Sequence, residues 1–145
     1  MIDVTVQELA AALVASFEGC HMTAYQDSGS VWTIGIGHTK GVTPGMTCTA
    51  EQAAQWFAED AAPLFAEVSG VLSVLEAAAL VSFGYNCGLG ALRKIMAGAD
   101  TIDNPVHTTD RHGNVQPGLV NRRRLESLLA TLAQQMAVTP LNPTT

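Results

Sequence analysis

The sequence predicts an α+β protein, mostly helical with one small sheet near the N-terminus. Apolar residues recur at helical spacing in several separate stretches, whereas alternation of strand type occurs in one place, "VWTIGIGH". Three helical stretches also open on a Ser or Thr with Glu or Gln three residues later, the spacing by which a helix start satisfies its own backbone donors.

In chain order, "TVQELAAALVASFEG" places Val6, Leu9, Ala10, Leu13, Val14 and Phe17 on one face of a helix that ends at Gly19. Glu18 follows the last core residue, so its carboxyl stands where the helix hands over to the next element. "AYQ" and "VWTIGIGH" flank the turn "DSGS"; Trp32, Ile34, Ile36 and His38 share one strand face, and Thr33, Gly35 and Gly37 the other. A face of Thr and glycines has little to pack with, so a ligand or another backbone is expected against it. A second helix from Thr49 carries Ala53, Trp56, Phe57 and Leu64, with Asp60 on the same stripe and so in need of a partner. His38 is read as a core histidine paired with Asp60, a structural pair and not a proton shuttle.

A third helix starts at Ser73 and runs to "YNCGLG", and the short helix "ALRKIMAG" closes at Gly98. Residues 99–117 are polar and without period, which predicts a loop. The last helix, from about Gly118 to Met136, puts Leu125, Leu128, Leu129 and Leu132 on one side, Arg122 at the edge of that stripe, and Arg123 and Arg124 away from it. "AVTPLNPTT" reads as a flexible tail over residues 137–145, leaving residues 1–136 as a single domain.

Composition narrows the function classes. With 145 residues, 48% of them apolar, the chain has room for one sizeable core. A net charge of −6 argues against a nucleic-acid surface and against nonspecific adsorption to anionic envelopes. The apolar run "LAAALVASF" has no basic residues before it and is too short to span a bilayer, so neither a signal peptide nor a membrane anchor is expected. Cys20, Cys48 and Cys87 form no CxxC and no zinc spacing, and are read as reduced, largely buried thiols. His107, Asp110 and His112 lie in a polar loop and are read as solvated; no metal, no cofactor and a monomeric state are expected.

Glu18, Asp27 and Thr33, with "WTIGIGHT", closely resemble the active-site segment of phage-type lysozymes, the endolysins of the T-even phage class that make up glycoside hydrolase family 24. In that family a Glu ending the first helix, an Asp at the sheet's first turn and a Thr on the strand lie nine and then six residues apart, as residues 18, 27 and 33 do here. The likeness continues through "TAEQAAQWFAED", "LVSFGYNCGLGAL" and "PGLVNRRR". It implies a lysozyme-like fold with a small antiparallel sheet and a helical C-terminal lobe. It also implies hydrolysis, with inversion, of the β-1,4 bond between N-acetylmuramic acid and N-acetylglucosamine in bacterial peptidoglycan. The protein would be made in a host cytoplasm and act on the cell wall.

Under that resemblance Glu18 is the general acid, while Asp27 and Thr33 position and activate the water. The chemistry suits the residue types: a glycosidase needs a proton for the leaving oxygen and, if it inverts, a water held on the opposite sugar face by a second carboxylate about 6.5–9.5 Å away. Arg122 matches an arginine that approaches the catalytic Glu, and Asn86 an amide near the cleft, so both are candidate substrate-binding residues. Taken singly, Glu18 also reads as a solvated helix end, Asp27 as a turn former and Thr33 as a β-former. Arg122 equally fits a solvated basic cluster with Arg123 and Arg124, and Asn86 a helix cap before Gly88. Family members carry a longer helical stretch between the equivalents of Ile95 and Pro117, so one wall of the C-terminal lobe is expected to be reduced to a loop. Two alternatives to hydrolysis remain: a lytic transglycosylase, which needs no positioned water, and a non-catalytic peptidoglycan-binding phage module.

Overall fold

The structure, a computed structural model, describes residues 4–138. Among these the chain forms six α-helices and one two-stranded antiparallel sheet, the mostly helical α+β arrangement the sequence predicts. Helix α1 (Val6–Glu18) begins on a complete capping box: Thr5 Oγ1 accepts from the Glu8 N–H at 3.2 Å, and Glu8 Oε2 accepts from the Thr5 N–H at 2.9 Å. Strands β1 (His21–Gln26) and β2 (Trp32–Gly35) follow, then α2 (Ala50–Asp60), α3 (Ala62–Glu67), α4 (Val74–Cys87), α5 (Leu89–Met96) and α6 (Pro117–Val138).

The core is organised around α4. Every residue from Ala77 to Gly84 is buried, as expected of a helix that is apolar or small all round. α1 lays Ala10, Leu13 and Val14 on one side of it, and α6 covers another. Gly84 lets α3 and α5 close on the same point, since a Cβ there would lie 2.8 Å from Leu64 Cδ2 and 3.1 Å from Leu92 Cδ2. The sheet stands at the end of α1, and α2 packs against β2.

Several details differ from the sequence reading. β2 stops at Gly35 instead of running to His38, because Gly35 (φ 61) and Gly37 (φ 74) take left-handed conformations. The resulting tight turn is closed by two backbone hydrogen bonds between Ile34 and His38, both 2.9 Å. The bare glycine face is covered by a helix: a Cβ on Gly35 would lie 3.1 Å from Ala53 Cβ of α2. The stripe carrying Leu64 breaks at Ala61, and Leu64 belongs to α3, which Pro63 helps to start. His38 Nδ1 lies 2.7 Å from Asp60 Oδ2, and its ring stacks on Trp56 at 4.7 Å, so this contact fastens the turn after β2 to α2.

The last helix is rotated from the expected face. Leu125, Leu128 and Leu132 are 37%, 51% and 40% exposed, while Arg122, Arg123, Glu126 and Ala133 are buried. Arg123 is therefore not a solvated charge; it and Arg122 neutralise Glu126 inside the protein, an arrangement that requires the polar side of α6 to face α4. The thiols of Cys20, Cys48 and Cys87 are free, but none is buried: Cys20 is exposed and the other two are half-buried. α6 continues to Val138, and the remainder of the expected tail lies outside the described residues, as do residues 1–3. No described helix is long and apolar enough to cross a membrane.

The segment expected as a loop is ordered by two aspartates. Asp110 gathers a turn, with Oδ1 accepting from the N–H groups of His112 and Asn114 at 2.8 and 3.0 Å. Asp100 accepts from Asn104 Nδ2 and the Thr101 N–H, both at 2.8 Å, and lies 2.9 Å from His107 Nε2. His107, at the end of a short 3-10 turn (Pro105–Thr108), is thus held by Asp100 and set edge-on to Phe83 at 4.9 Å, not solvated as expected. Among the described residues no group of three or more His, Cys, Asp or Glu side chains is arranged to hold a metal ion.

These contacts make stability testable at two positions. Asp60→Ala leaves the buried His38 ring without its acceptor and should cost about 1–3 kcal/mol, read as a lower melting temperature at neutral pH. The Asn104 and Thr101 hydrogen bonds hold the Asp100 carboxyl below its ordinary value of 3.8. Because the folded-state value is the lower one, its stabilisation is complete above about 3.8 and is lost as pH falls through the folded value. Asp100→Asn should therefore lose less melting temperature than the wild type between mildly acidic and strongly acidic solution. Equal losses in the two proteins would remove Asp100 from the acid limb.

Candidate active site

Glu18 is the final residue of α1, and the chain leaves the helix through Gly19 at φ 81. Glycine suits this corner because side chains rarely adopt that φ, and a Cβ on residue 19 would also press on the His21 ring, 2.8 Å from Nε2. The Glu18 side chain is 33% exposed, and its Oε1 accepts from Arg122 Nη1 at 2.6 Å. Oε2 has no protein donor among the described residues.

Arg122 reaches Glu18 from inside the protein. Its Nε donates to Glu126 Oε1 at 3.1 Å and its Nη2 to the Ser82 carbonyl at 3.0 Å, with the Phe17 ring beneath the guanidinium at 5.0 Å. Glu126 is fully buried and also accepts from Ser82 Oγ at 2.6 Å. Arg123 lies on its other side, with Nε 2.9 Å from Oε2 at an angle too bent for a hydrogen bond. Nη2 of Arg123 donates to Asn86 Oδ1 at 2.9 Å, and its guanidinium lies over Phe83 at 5.0 Å. Charges alternate along this chain, Glu18, Arg122, Glu126, Arg123, so that no buried ion lacks a counter-ion. Burial pushes the Glu126 carboxyl above its usual range, and Arg123, Ser82 and Arg122 pull it back.

Asp27 sits in the turn between the strands and is exposed. Its Oδ1 accepts from the N–H groups of Gly29 and Val31 at 2.8 and 2.9 Å, which leaves Oδ2 without a protein donor among the described residues. Thr33 follows on β2. At 4% exposure it is buried, and its hydroxyl donates to the Val31 carbonyl at 3.0 Å. Its proton is thereby committed and its lone pairs remain.

Glu18, Asn86 and Arg122 line one cleft of about 600 Å³, together with Ser16, Phe17 and Gln116. Asn86 accepts from Arg123 at this edge, and the end of α4 is closed by the Gly88 backbone N–H on the Gly84 carbonyl. Asp27 and Thr33 are outside that lining, on the sheet. Tyr25 links the two sides: it is the register partner of Thr33, and its phenol is held above its usual range by burial and by the negative charges of both Glu18 and Asp27. His38 and Asp60 stand apart; Asp60 lines a separate hollow with Gly37 and Tyr85.

Arg123, Glu126, Gln116 and Tyr25 are parts of this region that the sequence reading missed. For the first two a signal existed, since Arg122 and Arg123 precede Glu126 by four and three residues, the spacing of ion pairs on one helix. For Gln116 and Tyr25 there was none.

Comparison with known proteins falls on the same segments. The profile of the phage lysozyme family matches residues 15–126. The endolysin of Bacillus phage PZA is 35% identical over 135 residues, covering 81% of this chain and 51% of that protein. The endolysin of Acyrthosiphon pisum secondary endosymbiont phage 1 is 28% identical over 140 residues, covering 86% and 96%. The chain thus spans about half the length of the first of these relatives and nearly all of the second. Among solved structures, the muramidase domain of SpmX from Asticaccaulis excentricus superposes with a TM-score of 0.70 at 27% identity, covering 95% of this chain and 100% of that one. With the family profile matching most of its length, this chain belongs to the phage lysozyme family.

Proposed function

We propose that this chain is a single catalytic domain of endolysin type, a muramidase that hydrolyses the β-1,4 bond between N-acetylmuramic acid and N-acetylglucosamine in bacterial peptidoglycan. The observation that carries the reading is the contrast between two carboxyls. Glu18 is drawn partly out of water at the cleft and gripped on one oxygen by a buried arginine, whereas Asp27 is exposed in a turn that holds one oxygen and leaves the other open. Family membership and the names of the relatives, endolysin and muramidase, support the same assignment.

In the proposed reaction Glu18 donates a proton from Oε2 to the leaving glycosidic oxygen as its bond to the anomeric carbon breaks. A water on the opposite sugar face gives one proton to Asp27 Oδ2 while its oxygen bonds to that carbon. The water's other O–H stays intact and donates a hydrogen bond to Thr33 Oγ1, whose own hydroxyl donates to the Val31 carbonyl. Arg122 keeps the Glu18 carboxyl at the cleft and acts as a positioning residue. Asn86 offers its amide at the same cleft for contact with the sugar. Attack from the face opposite the leaving group inverts the anomeric carbon.

Mass spectrometry of the soluble products from purified peptidoglycan tests this class of reaction. Reducing muramic ends are expected; 1,6-anhydro ends would point to a transglycosylase, and no soluble product to a binding module. Glu18→Gln keeps the shape of the side chain but cannot supply the proton, so it should abolish lysis in a folded protein; lysis near the wild-type rate would remove Glu18 from the acid role. Thr33→Val should lower turnover on the order of a hundredfold with a similar Michaelis constant, because the water and not the sugar loses an anchor. Thr33→Ser should restore most of the rate. A Thr33→Val turnover within about twofold of wild type would make Thr33 a purely structural residue.

A further inference from the structure

We propose that His21 and Tyr25 form an aromatic shelf that stacks against the apolar face of a sugar ring of the glycan strand, next to the bond that is cut. The proposal rests on the muramidase reading and adds a recognition surface to it. Residues four apart on a regular strand are separated by about 13 Å, yet the His21 and Tyr25 rings lie 4.3 Å apart at 48°. They meet because β1 is irregular: His21 pairs with Gly35 and Tyr25 with Thr33, so β1 advances four residues while β2 covers two. Extra residues of this kind bend a strand and re-aim its side chains, and they concentrate beside active sites.

The shelf adjoins the reacting groups on both sides. The His21 ring packs over Gly19, the neighbour of Glu18, closely enough that a Cβ there would lie 2.8 Å from Nε2. Tyr25 is the register partner of Thr33 and stands two residues before Asp27. His21 is exposed and Tyr25 half-buried, and neither the imidazole nor the phenol hydroxyl has a hydrogen-bond partner among the described residues. Two touching rings at the surface, held in place by a strand irregularity, match a pyranose, whose C–H face lies on the rings. The occupant is the glycan itself because the shelf is continuous, within one residue, with Glu18.

Binding without turnover isolates this surface. Soluble glycan strands stripped of their stem peptides by an amidase serve as the probe, titrated calorimetrically into the Glu18→Gln protein and into the same protein carrying His21→Ala, Tyr25→Ala or Tyr25→Phe. Loss of one ring should weaken binding roughly five- to tenfold, while Tyr25→Phe, which keeps the ring, should bind within about twofold of the parent. Should Tyr25→Ala not fold, His21→Ala alone carries the same expectation, because its side chain is exposed. Unchanged affinity in the alanine variants overturns the shelf while leaving the muramidase reading intact. So does a Tyr25→Phe as weak as Tyr25→Ala, since the hydroxyl and not the ring would then be the group recognised. A Glu18→Gln parent that binds no glycan at all overturns both.

Discussion

Arg122 is 3% exposed and carries a charge that cannot be given up, so the elements around it supply oxygens. α1 brings Glu18, α4 brings the Ser82 carbonyl, and α6 itself brings Glu126. A guanidinium presents its donors in a rigid plane, and three acceptors at fixed angles leave little freedom in how these helices meet. The same interaction decides where Glu18 points. In an isolated helix that carboxyl would sweep through solvent; here it is fixed at the edge of the cleft, and the corner through Gly19 then sets where β1 departs. Fold and site are thus joined at one side chain.

Burying three charges has consequences for the rest of α6. Facing Arg122, Arg123 and Glu126 inward turns Leu125, Leu128 and Leu132 toward water, against the ordinary preference of both groups. That is why the sequence reading assigned the opposite face. Leucines at helical spacing are the strongest local signal of a buried side, and charged residues are buried only when partnered. The decisive partners are remote in sequence: Ser82 stands 44 residues from Glu126, and Glu18 stands 104 from Arg122. The one local clue was the three- and four-residue spacing of the two arginines to Glu126.

Elsewhere the local signals were sufficient. The Thr5, Thr49 and Ser73 caps each accept the backbone N–H that their spacing implied. Residues 18, 27 and 33 do fall at a helix end, a turn and a strand. Where the reading ran short, backbone conformation was the cause. Alternation in "WTIGIGH" looks continuous, but left-handed glycines at 35 and 37 convert its second half into a turn. Likewise nothing in "HMTAYQ" announces that β1 is irregular and that its first and fifth side chains touch. The segment without apolar period is a loop as read, with one short 3-10 turn, but the side-chain hydrogen bonds by which Asp100 and Asp110 order it leave no periodic signal.

The two carboxyls also bear on stereochemistry. The turn ties Asp27 Oδ1 to two backbone donors and leaves Oδ2 open, and in the proposed mechanism that oxygen holds the water while Thr33 gives it a second acceptor. The proposed mechanism therefore has a direct signature in the first product formed. Proton NMR of soluble glycan strands, recorded in the first minutes of digestion before mutarotation, reads the configuration of the new reducing ends. The account predicts that they appear first as the α anomer, from attack on a β-linked bond with inversion. An initial β anomer, or an end with no anomeric hydroxyl, would contradict it.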